Sequence, residues 1–318
     1  MATETTSTTL TELVQPEIIE QLILDYAIDK FVMLDKVRVG TPGQGNTWSF
    51  PAWVKDSGTD FTEAASTFTN DNLETTENAT ITAAEVGIMR ELTDYAAASV
   101  KMGEGALMQF IVEDGAALCL EMAEDDLVAL FASASSSAGS TGVDCSVADF
   151  VAAMGKLNTG KARGPRFAVL DDQALLDLQS AVAASQAAVF ANAANGAQDL
   201  LRHCCDTDTG YVGSLFGCPI WYSNLTDTAN TAADVVSGIL INGAARPVNA
   251  PIGFVQMWAP RVRELYLPDQ VGRQIVTTMC YGCGEISDFN YAKLVTAAKV
   301  HPGPGRAGFK SGAPRTSP

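Results

Sequence analysis

Asp56 to Thr82 reads DSGTDFTEAASTFTNDNLETTENATIT, and its composition decides how the rest of the chain is organised. The stretch is polar and lies between two strand-like runs. Eight of its residues are Thr, which favours strands. Its only large aromatics are Phe61 and Phe68, and Ile81 is its only Ile or Val. A segment like this cannot bury a core of its own. Connections longer than about 12–15 residues inside a compact domain are usually functional or disordered. The physical question is what such an arm would lie on, and a neighbouring copy of the same chain is the reading adopted.

The flanks on either side read as strands. Thr47 to Val54 (TWSFPAWV) precedes the arm, after a turn at Gly40–Gly45 (GTPGQG) and a strand-like run at Lys36–Val39 (KVRV). The glycine-rich turn has no following Lys-Ser/Thr and leads into a strand, so it is a hairpin turn and not a phosphate loop. Ile81 to Leu92 reads as the return strand, although Glu85 to Ala98 also tolerates helix. Upstream, residues 1–13 are polar and extended. Pro16 opens a helical pattern through Ile19, Leu22, Ile23 and Tyr26.

Downstream, Met102 to Ser133 is the clearest helix. At 100° per residue, Val112, Ala116, Cys119, Ala123, Leu127 and Leu130 fall within an arc of roughly 80°. Glu113, Asp114, Glu121, Glu124 and Asp125 fall within another of roughly 120°, which reads as a wet acidic face. Ser133–Gly142 (SASSSAGSTG) ends the helix as a connector. Ser146 caps a helix to about Leu157, and Asp171 caps an Ala- and Leu-rich one to about Ala194. Phe167–Leu170, Pro219–Tyr222, Ile239–Ile241, Gly253–Trp258, Val262–Leu267, Gln274–Tyr281 and Tyr291–Ala298 read as strands. Gly210–Gly217 reads as a loop. His301–Pro318 is Gly/Pro-rich and reads as unstructured in isolation.

The bulk numbers narrow the function. At 318 residues and 47% apolar, one large domain or two can form a real core. The net charge of −17 argues against a dedicated nucleic-acid binder. From Asp56 to Asp126 there are 16 acids and 2 bases, whereas Lys293 to the end carries 5 bases and no acid. That asymmetry suits docking between copies, and equally a soluble body with a solvated tail. Seven cysteines, with no secretory signal at MATETTSTTL, suggest free thiols in a reducing compartment. The sequons at Asn78 and Asn224 then carry no meaning. No run is long enough to span a membrane.

Candidate chemistry is thin. Cys280-Tyr-Gly-Cys283 has the spacing of half a zinc knuckle, and His203, Cys204 and Cys205 could complete it, but there is no second CxxC. The other histidine, His301, lies in the tail, and no G-x-S-x-G elbow accompanies His203. Trp48, Trp53, Trp221 and Trp258 sit in strand patterns and read as core. Arg261, Arg263 and Arg273 read as a solvated edge or as inter-subunit ion pairs. No cofactor, metal or catalytic residue is expected.

The order of the pieces resembles a known family. An arm and short helix (TELVQPEIIEQLILDYA) lead to a strand-turn-strand (KVRVGTPGQGNTWSFPAW). The polar arm follows, then ITAAEVGIMRELTDYAAAS, the long helix ALMQFIVEDGAALCLEMAEDDLVALF, and a mixed segment with GSLFGCPIWYSN. Over about residues 9–298 this resembles the major capsid protein of tailed double-stranded DNA bacteriophages, with the Hong Kong 97-type fold. The resemblance implies an α+β chain with an N-terminal arm (1–46), an extended β-hairpin loop (47–88) and a peripheral domain (89–145) containing a spine helix at Met102–Ala132. A mixed α/β axial domain (146–270), a return to the peripheral domain (271–298) and a basic tail (299–318) complete it.

It also implies a self-assembling virion subunit, made in the host cytoplasm, whose copies form hexamers and pentamers. Portal, scaffolding and decoration proteins are partners in such systems, and double-stranded DNA is enclosed without strong specific binding. Inter-subunit contacts would fall on Asp60, Phe61, Glu63, Phe68, Asn70, Asp71, Glu74 and Glu77. Some members crosslink a loop Lys to a distant Asn. Asp56–Met89 contains no Lys, so noncovalent contacts are expected here. The chain starts almost directly on the arm, so any scaffold is expected to be a separate protein or absent. Two alternatives stand: an encapsulin-like shell with the same fold around a protein cargo, and a metal or redox protein using Cys280, Cys283 and His203.

Overall fold

The computed structural model describes residues 31–40, 45–52, 77–99, 104–160, 162–186, 210–230 and 233–298. The first strands are β1 (Arg38–Gly40), β2 (Thr47–Ala52), β3 (Glu77–Thr82) and β4 (Ala84–Thr93). Two helices follow, α1 (Asp94–Ser99) and α2 (Glu104–Ala129), the latter continuing as a 3-10 turn over Leu130–Ser133. Next come β5 (Ser137–Gly139), α3 (Val147–Thr159), β6 (Arg166–Leu170) and α4 (Asp172–Gln186). Then β7 (Tyr211–Leu215), β8 (Cys218–Tyr222), β9 (Thr228–Ala229) and β10 (Asp234–Ile241) lead to the long pair β11 (Ile252–Leu267) and β12 (Gly272–Glu285), and β13 (Tyr291–Ala297) closes the series. The expected helix after Pro16, the end of the α4 pattern near Ala194 and the tail from His301 lie outside the described residues.

Two sheets share one helix. One has the order β1-β11-β12-β4. The other runs β5-β13-β10-β6-β8-β7, with β9 attached to β10. β11 belongs to the first sheet and β13 to the second, so the last third of the chain feeds both. All eight residues of β10 are buried, as expected for a strand covered on both faces. Ser146 accepts from the Asp149 N–H and Asp149 reaches back to the Ser146 N–H, a capping box that starts α3 where the sequence placed it.

The long helix lies across the first sheet and touches the second. Cys119, Ala123, Leu127 and Phe131 are fully buried. They join Phe167, Val236 and Leu240 of one sheet and Phe254, Met279 and Tyr281 of the other in a single core. Close approach requires small residues at two points. A Cβ on Gly115 would lie 2.6 Å from Thr277 Oγ1, and one on Gly238 would lie 2.9 Å from the Phe131 ring.

The acidic face of this helix is not uniformly wet. Glu113 and Asp125 are exposed, but Asp114 and Glu124 are buried. Asp114 is paired with Arg90 on β4. Glu124 accepts three consecutive backbone N–H groups, from Val32 (2.7 Å), Met33 (2.6 Å) and Leu34 (3.3 Å). Lys36 donates to the Val32 carbonyl at 2.8 Å and sits 4.2 Å over the Trp221 ring. A carboxylate bound in such a nest locks the Val32–Leu34 backbone to the C-terminal part of the helix.

Other expectations are corrected. Lys36 and Val37 form a turn onto the Met33 carbonyl, and β1 begins only at Arg38. Residues 84–93 are strand, and the helical alternative holds only for Asp94–Ser99. Within the Ser133–Gly142 connector, Ser137–Gly139 is a strand parallel to β13. Most of the Gly210–Gly217 loop is β7, and only Phe216 and Gly217 make the turn into β8. Gly253–Trp258 and Val262–Leu267 are one strand, because Pro260 falls in an irregularity between Trp258 and Arg261 that needs no ladder N–H.

Burial pushes the Glu124 carboxyl up to about 7, against the three N–H donors and the Lys36 ammonium, which pull it down. A carboxyl with a raised folded pKa takes up a proton on folding. Its contribution is therefore present below its ordinary value near 4.5 and lost as pH rises toward 7. Thermal melts should show Glu124→Gln flattening the pH dependence of stability across that window. Glu124→Ala, which strips three buried donors, should cost about 2–4 kcal/mol at every pH.

Candidate inter-subunit surfaces

The base of the polar arm is well defined. β2 and β3 pair antiparallel and in register from Thr47↔Thr82 to Ala52↔Glu77, so residues 53–76 connect the two strands of one hairpin. Alternation along the strands sorts the side chains. Trp48, Phe50, Ala79 and Ile81 turn inward, while Thr47, Ser49, Thr80 and Thr82 are exposed. The inward row packs with Val255, Trp258 and Cys280 on the four-stranded sheet. Facing strand partners place these residues on the side opposite the long helix. The first sheet is thus covered by α2 on one face and by the hairpin base on part of the other.

Glu77 is the first residue of β3. Asp60, Phe61, Glu63, Phe68, Asn70, Asp71 and Glu74 lie outside the described residues. The clamp on the base was not anticipated from the sequence, although the period-2 pattern Trp48, Phe50 and Ala79, Ile81 carries it.

At the far end of the same sheet α1 and the start of α2 bury Leu92 and Ile275, but β11 is bare. From Arg261 to Tyr266, β11 is exposed on both faces. It is an edge strand there, since β1 reaches only Gly253–Val255. One row holds Arg263, Val276 and Met89 across three strands, and the next holds Leu265, Gln274 and Glu91. At the tip, Tyr95 is 74% exposed and Val271 60%. Polar contacts bind this end together. Tyr266 Oη donates to Asp94 at 3.1 Å, Asp94 N donates to the Val271 carbonyl at 3.0 Å, and Arg273 donates to Glu264 at 3.2 Å. Arg273 therefore serves its own chain, whereas Arg261 stacks over Trp258 with 5.1 Å between guanidinium and ring.

Val271 has φ 47°, in the left-handed region. A β-branched residue there is strained by about 1–2 kcal/mol. Phe216 is likewise left-handed, at φ 52°, and 53% exposed. Apolar side chains held out to solvent at a conformational cost mark surfaces that gain something when covered.

The cysteine pair does not form a chelating or redox unit. Cys280 packs with Phe50 and Ile81 on one face of β12, and Cys283 with Phe254 and Tyr281 on the other. Residues three apart on a strand point in opposite directions. Burial pushes the Cys283 thiol up to about 12 and also raises Cys280, the reverse of what a nucleophile or metal ligand needs. His203, Cys204, Cys205 and His301 lie outside the described residues. Among the described residues, no three of His, Cys, Asp and Glu meet in a metal-holding group, and no helix is long and apolar enough to cross a membrane.

No protein-family model and no curated protein sequence matches the chain. Solved structures do. A chain from Gordonia phage Cozz is similar at 11% identity and a TM-score of 0.61, over 92% of this chain and 94% of that one. The acid-stable capsid of Helicobacter pylori bacteriophage KHP30 is similar at 10% identity and a TM-score of 0.60, over 82% and 88%. The holo-SrpI encapsulin complex from Synechococcus elongatus PCC 7942 is similar at 10% identity and a TM-score of 0.58, over 81% and 84%. The likeness is one of fold: the chain has the α+β Hong Kong 97-type capsid fold.

Two substitutions probe these surfaces. Phe50→Ala should cost about 3–5 kcal/mol locally and speed hydrogen exchange in Thr47–Ala52 before the rest of the protein. Val271→Asn, which tolerates the left-handed region, should raise the melting temperature of the unassembled subunit by a few degrees.

Proposed function

We propose that this chain is a structural shell subunit, the major capsid protein of a tailed double-stranded DNA phage, and not an enzyme. The observation that carries the reading is the hairpin. Its base is clamped to the sheet by Phe50 and Ile81, while the connection it sends out has too few large apolar residues to build a core. A firmly rooted loop without a core gains stability by lying on another surface. The bare end of β11, where Leu265 and Tyr266 are exposed, is a second such demand on a neighbour.

In this reading α2 and the four-stranded sheet form the peripheral part, and the sheet carrying α3 and α4 forms the axial part that meets its copies at capsomer centres. Assembly is the mechanism. Many modest contacts repeat by symmetry, and the closed shell is stable because each subunit is held on several sides. The loop holds its neighbour without covalent bonds, since Asp56–Met89 lacks Lys. A subunit of net charge −17 encloses duplex DNA without gripping its phosphates strongly. The similarity to an encapsulin supports a second reading, a shell around a protein cargo.

Deleting Asp60–Glu74 leaves β3 intact from Glu77. The shortened subunit should fold, with an unchanged melting profile, and fail to form closed particles in negative-stain microscopy. Closed particles of normal size from this deletion would overturn the reading. Nuclease-protected DNA inside wild-type particles supports the phage shell, and an enclosed enzyme supports the encapsulin alternative.

A further inference from the structure

The acids of this chain are unevenly placed, and the fold turns that into a surface. Residues 150–170 contain no acid and four bases, Lys156, Lys161, Arg163 and Arg166. Residues 235–263 contain no acid and three bases, beginning with Arg246. β6 and β10 pair so that Arg166 faces Ile241, which brings the two stretches side by side. Asn242 N donates to the Pro165 carbonyl, and Asn249 donates to the Arg163 carbonyl. The Arg246 side chain packs against Gly164. Arg163, Arg246 and Lys156 are exposed, and among the described residues none has a carboxylate partner.

Beside this basic rim is a cleft of about 550 Å³, lined by Arg163, Arg166 and Asn158 on one side and Met154, Phe216 and Cys218 on the other. Phe216 is the exposed, left-handed residue of the β7–β8 turn. The site therefore combines guanidinium groups without a carboxylate partner among the described residues, Arg166 being held by Asn158 at 2.6 Å, with an apolar wall and an aromatic side chain held out at conformational cost. Phosphates would use the arginines but not the wall. A peptide with carboxylates flanking an aromatic ring would use both.

We infer that this cleft receives the acidic arm of a second copy of the chain, with Asp60 and Glu63 meeting Arg163 and Arg246 while Phe61 lies against Met154 and Phe216. The inference rests on the shell reading and adds an acceptor surface to it. Charge complementarity selects the occupant: the arm has six acids between Asp56 and Glu77 and no base.

The test uses two full-length variants, Arg163→Glu/Arg246→Glu and Asp60→Lys/Glu63→Lys. Each alone should keep the wild-type melting profile and raise the concentration needed for particle assembly at least tenfold, with the defect diminishing as salt is added. Mixed together, the two variants should assemble near the wild-type threshold, because each supplies the charge the other lacks. Wild-type thresholds for either single variant would overturn the inference, as would defects that persist on mixing, which indicate a loop folding onto its own chain. Particles of Arg163→Glu/Arg246→Glu that close normally but lose nucleic acid would assign the face to phosphates instead. If that pair misfolds, Arg163→Gln/Arg246→Gln replaces it and is read by its assembly threshold alone, a wild-type threshold overturning the inference. Wild-type protein that forms no particles would count against the shell reading itself.

Discussion

Everything in this fold depends on one helix surface meeting two sheets at once. Cys119, Ala123, Leu127 and Phe131 must touch strands from both, so the stripe has to be narrow and small-featured at its middle. Gly115 and Gly238 are the matching concessions on either side. Larger residues there would move the helix off one sheet, and the common core would split. The buried carboxylate of Glu124 adds direction to this packing. It fixes the Val32–Leu34 backbone relative to a given turn of the helix, which dispersion alone does not specify.

That central packing leaves the periphery under-covered. The first sheet is four strands wide and longer than what lies on it. The helices take one face of β4 and β12 along their length, burying Leu92 and Ile275, the hairpin base takes part of the other, and the β11 end near Tyr266 stays exposed on both faces. A free-standing protein would shorten such strands or cover them with charge. Here the strand is long and carries Arg261, Arg263 and Glu264, yet Leu265 and Tyr266 also face solvent and Val271 in the turn that follows is strained. In the proposed shell, neighbours would complete this surface.

The large elements were legible because periodicity carries them. The long helix, the Ser146 cap and the strands at Phe167, Pro219 and Tyr291 follow from spacing and capping chemistry alone. What was missed has a physical cause in each case. Glycine punctuation made Gly210–Gly217 read as loop, but the strand is set by pairing with Cys218–Tyr222, a tertiary fact. Asp114 and Glu124 looked solvated because their partners, Arg90 and the Val32–Leu34 backbone, are distant in sequence. The arm was recognisable by what it lacks, a core. The surface that would receive it was invisible, because two acid-free stretches become one face only through the β6–β10 pairing.

The order of synthesis gives the sheet arrangement a further meaning. β13, the last strand among the described residues, is an interior strand flanked by β5 and β10, and β12 is likewise interior between β11 and β4. Neither sheet can close until residues near 290 have left the ribosome. Most stabilising contacts therefore come from far along the chain, which favours slow folding. Until β12 and β13 are in place, the half-made sheets leave unpaired strand edges exposed, open to pairing with other chains.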